Sequence, residues 1–397
     1  MPSQRQPLMK HTPRDVVMQF AHVLQQELFP RLKDAIGPLS PQMQLLTAVA
    51  SLIPLGRLLS ARRASNGRPA KDRAALATAF IAKAILNLPT TRDLIGRLRV
   101  DESLRRICGW GSRHAVPHES KFSRAFAEFA VTELPQQLHE AIVATTQAQR
   151  LVGHIARDAT AIPARERFPE TDRQREEKAR RKNANSKRTK GGFVCAKAAE
   201  RGTRIQRQRH QNLEQMLADL PRQCDMGAKK NSQGQDQYWR GYKLHLDVAD
   251  GQVPVNAVLT SASVHDSQVA IPLMRLTSRR VVYLYDLMDS AYDADAILAE
   301  SRDLNHVPIV APHPRRGTKR VSQCPKAFPA EPTPQLSWAQ QDRYKERTMS
   351  ERVNARLKDE FGANQLRVRG AAKVMAHLMF GVLALTVDQW LRFATSG

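Results

Sequence analysis

The 397-residue sequence predicts an α/β protein with a helical front part and a mixed-sheet domain behind it. Three observations carry that prediction. Up to residue 149 the apolar positions recur at helical spacing between short polar joints. From residue 150 the pattern changes to short apolar or alternating runs bounded by turn residues, with helical stretches between and after them. The composition, 42% hydrophobic and 25% charged, is that of a chain able to bury a core. The expected organisation is a helical domain over 1–149 and an α/β domain over 150–397, the latter interrupted by a basic insertion over 165–238.

In the front part, Ala74 to Leu88 is an Ala-rich run of good helix formers that stops before Pro89. Thr90 or Thr91 can cap a second helix, Arg92 to Leu98. Asp101 can cap a third, and Ser120 a fourth. In that fourth segment Phe122, Phe126 and Phe129 recur at i, i+4, i+7 and mark one buried face. Short helices with short joints and surface arginines suit a DNA-binding domain. They equally suit a helical domain whose basic faces are merely solvated.

Behind residue 150, Leu151 to Ile162 reads as a strand. Gly241 to Ala249 alternates polar and apolar residues, and Gln252 to Ser261 follows the hairpin signal Asp250-Gly251. Val281 to Leu287 is an apolar run that reads as a central strand. Tyr292 to Leu304 reads as a helix, His306 to Ala311 as a strand, Pro312 to Pro334 as a loop. Arg343 to Phe361 and Lys373 to Phe393 read as helices. The most apolar stretch, Val374 to Val387, is shorter than a membrane span and suits a buried core helix.

The formal net charge is +24. A charge of that size points to a polyanionic partner, with nucleic acid the first candidate and an anionic membrane surface the second. Residues 1–150 carry net +10, and Arg165 to His210 alone carries another +10. That second run, which includes Arg180, Arg181 and Lys182, reads either as an electrostatic arm along DNA phosphates or as a solvated surface segment. The four cysteines form no C-x-x-C pair, so a disulfide scaffold or a cysteine-rich zinc site is not expected. The polar start, Met1 to Lys10, lacks the apolar core of a signal peptide, and a soluble, cytoplasmic protein is the expectation. Trp239, Trp338 and Trp390 read as packing residues.

Three acidic residues fall where such a sheet would expose them: Asp158 near the end of the first strand, Asp289 just past Val281 to Leu287, and Glu351 on the helix beginning near Arg343. Asp286 and Asp293 compete for the role given to Asp289. Carboxylates gathered in one place repel unless a cation lies between them. Hard oxygen ligands select Mg²⁺ or Mn²⁺, and two such ions about 4 Å apart can activate a water or 3′-hydroxyl against a phosphodiester. On one continuous helix, Tyr344, Arg347, Glu351 and Lys358 would share an arc of roughly 60°. Met349, Val353, Leu357 and Phe361 would form the apolar stripe opposite. By spacing alone that polar arc is either a working face or the wet side of an amphipathic helix.

The run Tyr344-x2-Arg347-x3-Glu351-x6-Lys358 resembles the Y-R-E-K signature of bacterial insertion-sequence transposases of the DDE class. The run from Asp289 to Asp293 (DSAYD) is similar to that family's D-x-G-Y-D, with Ala291 where the family usually has Gly. RDATAIPARE from Arg157, GYKLHLDV from Gly241 and LTSASVHDSQ from Leu259 resemble its strand segments; LRRICGW and VPHESKFSRAFAEFA, before residue 150, resemble its helical domain. The resemblance implies a ribonuclease-H-like catalytic domain in which Asp158, Asp289 and Glu351 bind Mg²⁺ or Mn²⁺. It implies that Tyr344, Arg347 and Lys358 hold the DNA near the cleaved end. The implied activity is binding of terminal inverted repeats, cleavage at the element ends and transfer of 3′-hydroxyls to target DNA, by a homodimer or larger assembly. The alternatives are a metal-dependent nuclease without strand transfer and a DNA-binding protein that keeps the fold without catalysis. His265-Asp266 reads either as a pair supporting the metal ligands from behind or as a hydrogen-bonded loop pair, and stays outside the triad.

Overall fold

The computed structural model describes residues 19–20, 22–53, 55–59, 72–147, 150–166, 203–230, 233–312 and 336–395. The arm residues Arg180, Arg181 and Lys182 lie outside the described residues.

Eight α-helices come first among the described residues: α1 (Phe29–Ile36), α2 (Pro41–Leu52), α3 (Leu55–Leu59), α4 (Arg73–Ile85), α5 (Thr91–Val100), α6 (Glu102–Ile107), α7 (Glu119–Val131) and α8 (Leu134–Gln147). Their starts follow local chemistry. Thr90 caps α5 in a reciprocal box with Asp93, and Asp101 caps α6 through the Leu104 N–H. The fourth cap differs from expectation: His118, not Ser120, caps α7, its ring accepting from the Ser120 N–H. The aromatic face of α7 is as expected, with Phe122, Phe126 and Phe129 buried around Phe80.

The sheet has six strands: β1 (Leu151–Pro163), β2 (Asp225–Lys230), β3 (Asp236–Ala249), β4 (Val253–Ser261), β5 (Val282–Met288) and β6 (Val307–Val310). β3 runs antiparallel to β1, β4 and β2, whereas β5 runs parallel to β1 and β6 parallel to β5. This is the mixed sheet of a ribonuclease-H-like fold. β2 comes from the segment that sequence patterning left unread, which also holds the short helices α9 (Arg204–Gln208) and α10 (Leu213–Asp219). α11 (Ser267–Ser278), whose Pro272 hides its helical character, and α12 (Asp295–Asp303) cover one face. The outer half of β3 pairs with β2 as a two-stranded ribbon running past the end of β1. The bend needs Gly241 (φ +150°), where a Cβ would meet the Ile162 carbonyl oxygen at 2.1 Å.

The other face is covered by the C-terminal helices. Arg343 to Phe361 is not one helix. α13 (Trp338–Lys345) and α14 (Thr348–Asp359) meet at a break through Glu346 and Arg347. The stripe Met349, Val353, Leu357 and Phe361 is buried as its spacing predicts. α15 (Ala371–Thr395) is long and apolar enough to cross a membrane by length and composition, yet most of it is packed inside the protein. It lies against α4, α7 and α8 and against β4, so one apolar core runs from the front helices to the sheet. The imidazole of His139 on α8 marks that junction, within 3.1 Å of the Pro254 carbonyl and 3.2 Å of the Thr386 hydroxyl. Burial pushes its pKa down to about 3, so it joins the three elements as a neutral ring. Trp390 is buried, whereas Trp338 is 88% exposed and packs against little.

Candidate active site

Register builds the site. On the parallel pair, Ala156 faces Leu287, so two residues further along Asp158 draws level with Asp289. Successive side chains on a strand point to opposite faces. Asp158 and Asp289 therefore point toward α14, while their neighbours Arg157 and Met288 point toward α11. Contacts agree: Asn354 of α14 donates to Asp158 Oδ2 at 3.0 Å. Asp289 follows β5 directly and caps the next turn, Ser290–Tyr292, its carboxylate accepting from the Ala291 N–H at 2.9 Å. Ala291 is not among the residues with positive φ, so this turn forms without glycine.

The competitor Asp286 lies on the other face. It accepts from Arg157 Nη1 (3.1 Å), the Tyr283 hydroxyl (3.1 Å) and the Ser301 hydroxyl (2.6 Å). Arg157 Nη2 also reaches Asp247 of β3 at 2.7 Å, and Thr277 of α11 donates to the same carboxylate oxygen. All three ionic side chains are fully buried. The network fastens β5, β1 and β3 together immediately beneath Asp158.

Above the sheet the charges are not balanced in this way. Burial pushes the Asp158 carboxyl up to about 6, opposed by the Ala159 N–H and by Arg347, and reinforced by Asp289 and Asp266. Burial also raises Asp289, with Asp266 again adding to the shift and Arg347 opposing it. Asp266 precedes α11 and pairs with Lys243 at 2.9 Å. Its neighbour His265 bonds Ser267, not Asp266. Asp266, which sequence reasoning set aside as half of a loop pair, and the amide Asn354, which it passed over, thus stand beside the two aspartates; a loop acid after β4 and an amide beside the apolar stripe are signals too common to stand out.

The break between α13 and α14 puts Tyr344 and Glu351 on different helices, so the single polar arc of the sequence does not form. The proximity survives in part. The Arg347 guanidinium lies 5.7 Å from the Tyr344 ring and within electrostatic reach of both Asp158 and Asp289. Lys358 is lowered by burial and by Lys229 of β2, and also feels Asp158. Glu351 is not drawn in: its exposed carboxylate bonds Arg347 Nη2 at 2.6 Å. Among the described residues, no group of three His, Cys, Asp or Glu side chains is placed to hold a metal ion.

The donors nonetheless suit a hard divalent cation. Asp158 and Asp289 are carboxylates held charged only at a cost, which a cation would offset. Below them the Tyr292 hydroxyl is buried without a hydrogen-bond partner among the described residues, in the field of Asp266, Asp158 and Asp289. It could donate to a cation's water shell or to a carboxylate rearranged around it.

Two family comparisons bear on this arrangement. Residues 153–387 match the transposase DDE domain family, and residues 34–128 match a further family described as a transposase domain (DUF772). No curated protein and no solved structure matches the chain. The first match takes in every strand of the sheet, Asp158, Asp289 and α14, and the second most of the front helices. The chain belongs to the DDE transposase family, enzymes that act on DNA and whose chemistry implies a divalent metal.

Proposed function

We propose that this transposase binds the terminal inverted repeats of an insertion sequence through its helical domain, over 1–149, and cleaves the phosphodiesters at the element ends. It then transfers the 3′-hydroxyls to target DNA. The observation that carries this reading is the alignment of Asp158 on β1 with Asp289 just past the parallel strand β5, both half-buried, desolvated and with Arg347 as the nearby cation. Asp158, Asp289 and Glu351 would hold Mg²⁺ or Mn²⁺. The bound cation would supply the charge that makes a water or 3′-hydroxyl nucleophilic and balances the leaving oxygen. Tyr344, Arg347 and Lys358 grip the strand. Arg347 is bonded to Glu351 in the DNA-free protein. An arriving phosphate competes for that guanidinium bidentately and frees the Glu351 carboxylate to turn toward Asp158. Two ends must be handled together, so the working form is at least a dimer on DNA.

The test is nicking and joining of a plasmid that carries the element ends, with Mg²⁺. Asp158→Ala, Asp289→Ala and Glu351→Ala should each lower cleavage by about 10³-fold or more, several kcal/mol of barrier. Unchanged cleavage in all three would sink the assignment, and cleavage without joined product would make the enzyme a nuclease. Neutralising Arg180, Arg181 and Lys182 together should weaken DNA binding and flatten its dependence on salt; an unchanged slope would remove the arm from the DNA interface.

A further inference from the structure

The β2–β3 ribbon extends beyond the sheet with one face uncovered. Its cross-strand pairs are Met226 with Arg240 and Ala228 with Tyr238. These four residues share a face. Met226 is 43% exposed and Tyr238 67%. The opposite face is fixed by Trp239, whose indole lies on Gly227 so closely that a Cβ there would meet it at 2.3 Å, and whose N–H donates to the Tyr242 carbonyl. Between the ribbon and the end of β1 lies an open groove of about 1130 Å³ to which Met226, Tyr238, Trp239 and Arg240 of the ribbon contribute, together with Arg165 and Arg369. Its one acid, Glu166, is turned into the protein, where it accepts from the Tyr242 hydroxyl and the Gly370 N–H. The groove therefore offers cations and a phenol ring. A two-stranded ribbon is weakly stable on its own, and this one leaves its aromatic uncovered.

We propose that this groove holds an unpaired stretch of the DNA strand, with a base stacked on Tyr238 and phosphates on Arg165 and Arg369. A ring this open can stack only on a base whose face is not already covered by a duplex neighbour. Guanidinium groups suit phosphate oxygens. The inference rests on the chain's action on DNA, and not on the assignment of the carboxylates.

The test uses the full chain in EDTA, so that no cleavage intervenes. The probes are a blunt duplex and the same duplex with a short oligothymidine tail. The wild type should prefer the tailed probe by about tenfold. Tyr238→Ala should abolish that preference, and Tyr238→Phe should keep it. Arg165→Gln and Arg369→Gln should each weaken tailed binding and reduce the slope of log K against log salt by about 0.7. A preference that survives Tyr238→Ala overturns the proposal. So does a lowered melting temperature with the preference intact, which would show that the protein itself fills the groove. Cleavage by Asp158 and Asp289 variants in Mg²⁺ is read separately, so failure of one reading leaves the other standing.

Discussion

Arg157 and Asp158 are neighbours on one strand and live under opposite rules. Arg157 points to the α11 face, where it is fully buried between Asp247 and Asp286 and where hydroxyls from Thr277, Tyr283 and Ser301 complete the network. Asp158 points to the α14 face, where it meets another carboxylate and an amide, with Arg347 only at a distance. On one face of the sheet a single guanidinium is shared between two buried carboxylates. The other face is left short of positive charge and close to solvent. The ion network lies beneath the candidate site, and the desolvated carboxylates lie within it.

The contrast can be broken from below first. Arg157→Met leaves two buried carboxylates unpaired and should cost about 3–5 kcal/mol in urea unfolding. Adding Asp247→Leu and Asp286→Leu should recover most of that loss, because apolar side chains of similar size remove the stranded charges. If the triple variant remains as unstable as the single one, the network does more than neutralise charge, and the strand alignment depends on its hydrogen bonds.

The second test acts from above. The folded Asp158 carboxyl keeps its proton to about pH 6, whereas the unfolded one releases it near 3.8. Ionisation in the folded state is the disfavoured event, so Asp158 lowers stability as pH rises through that window. Relative to Asp158→Asn, the metal-free wild type should lose on the order of 2 kcal/mol between pH 4 and 7. Parallel pH profiles for the two proteins would show that Asp158 is compensated after all. The smallest effect on stability belongs to Glu351. It is more than half exposed, and its pair with Arg347 is the kind worth at most about 1 kcal/mol. Glu351→Gln should therefore change stability by less than about 0.5 kcal/mol while cleavage is lost. A large destabilisation would mean that the Arg347 pair holds the break between α13 and α14.

Much of this was legible before any coordinates. β1, β4, β5 and the aromatic face of α7 follow from period and turn signals within a few residues of where they were expected. Asp158 and Asp289 were singled out as candidates because one sits on the first strand and the other just past the apolar run of β5. The joint between α13 and α14 was not legible: no Gly or Pro interrupts the segment from Arg343 to Phe361, and the poorer helix formers Thr348 and Ser350, which bond back to carbonyls of the joint, are a weak signal. β2 was hidden because a ribbon strand such as DMGAKK has one short exposed face and no apolar alternation.

The sequence by itself determined the class of fold, the caps of several helices and the buried stripe of α14. These depend on residues a few positions apart, where spacing and propensity act directly. The tertiary structure decided that Asp286 is drawn into the buried ion network, that Asp266 and Tyr292 stand beside Asp158 and Asp289, and that α15 belongs to the same core as the front helices. Each of those depends on strand register and on helices packed across long sequence separations. A shift of one residue in the pairing of β1 with β5 would bring Met288 or Ser290 level with Asp158 and turn Asp289 to the other face, with almost no change in local sequence preference.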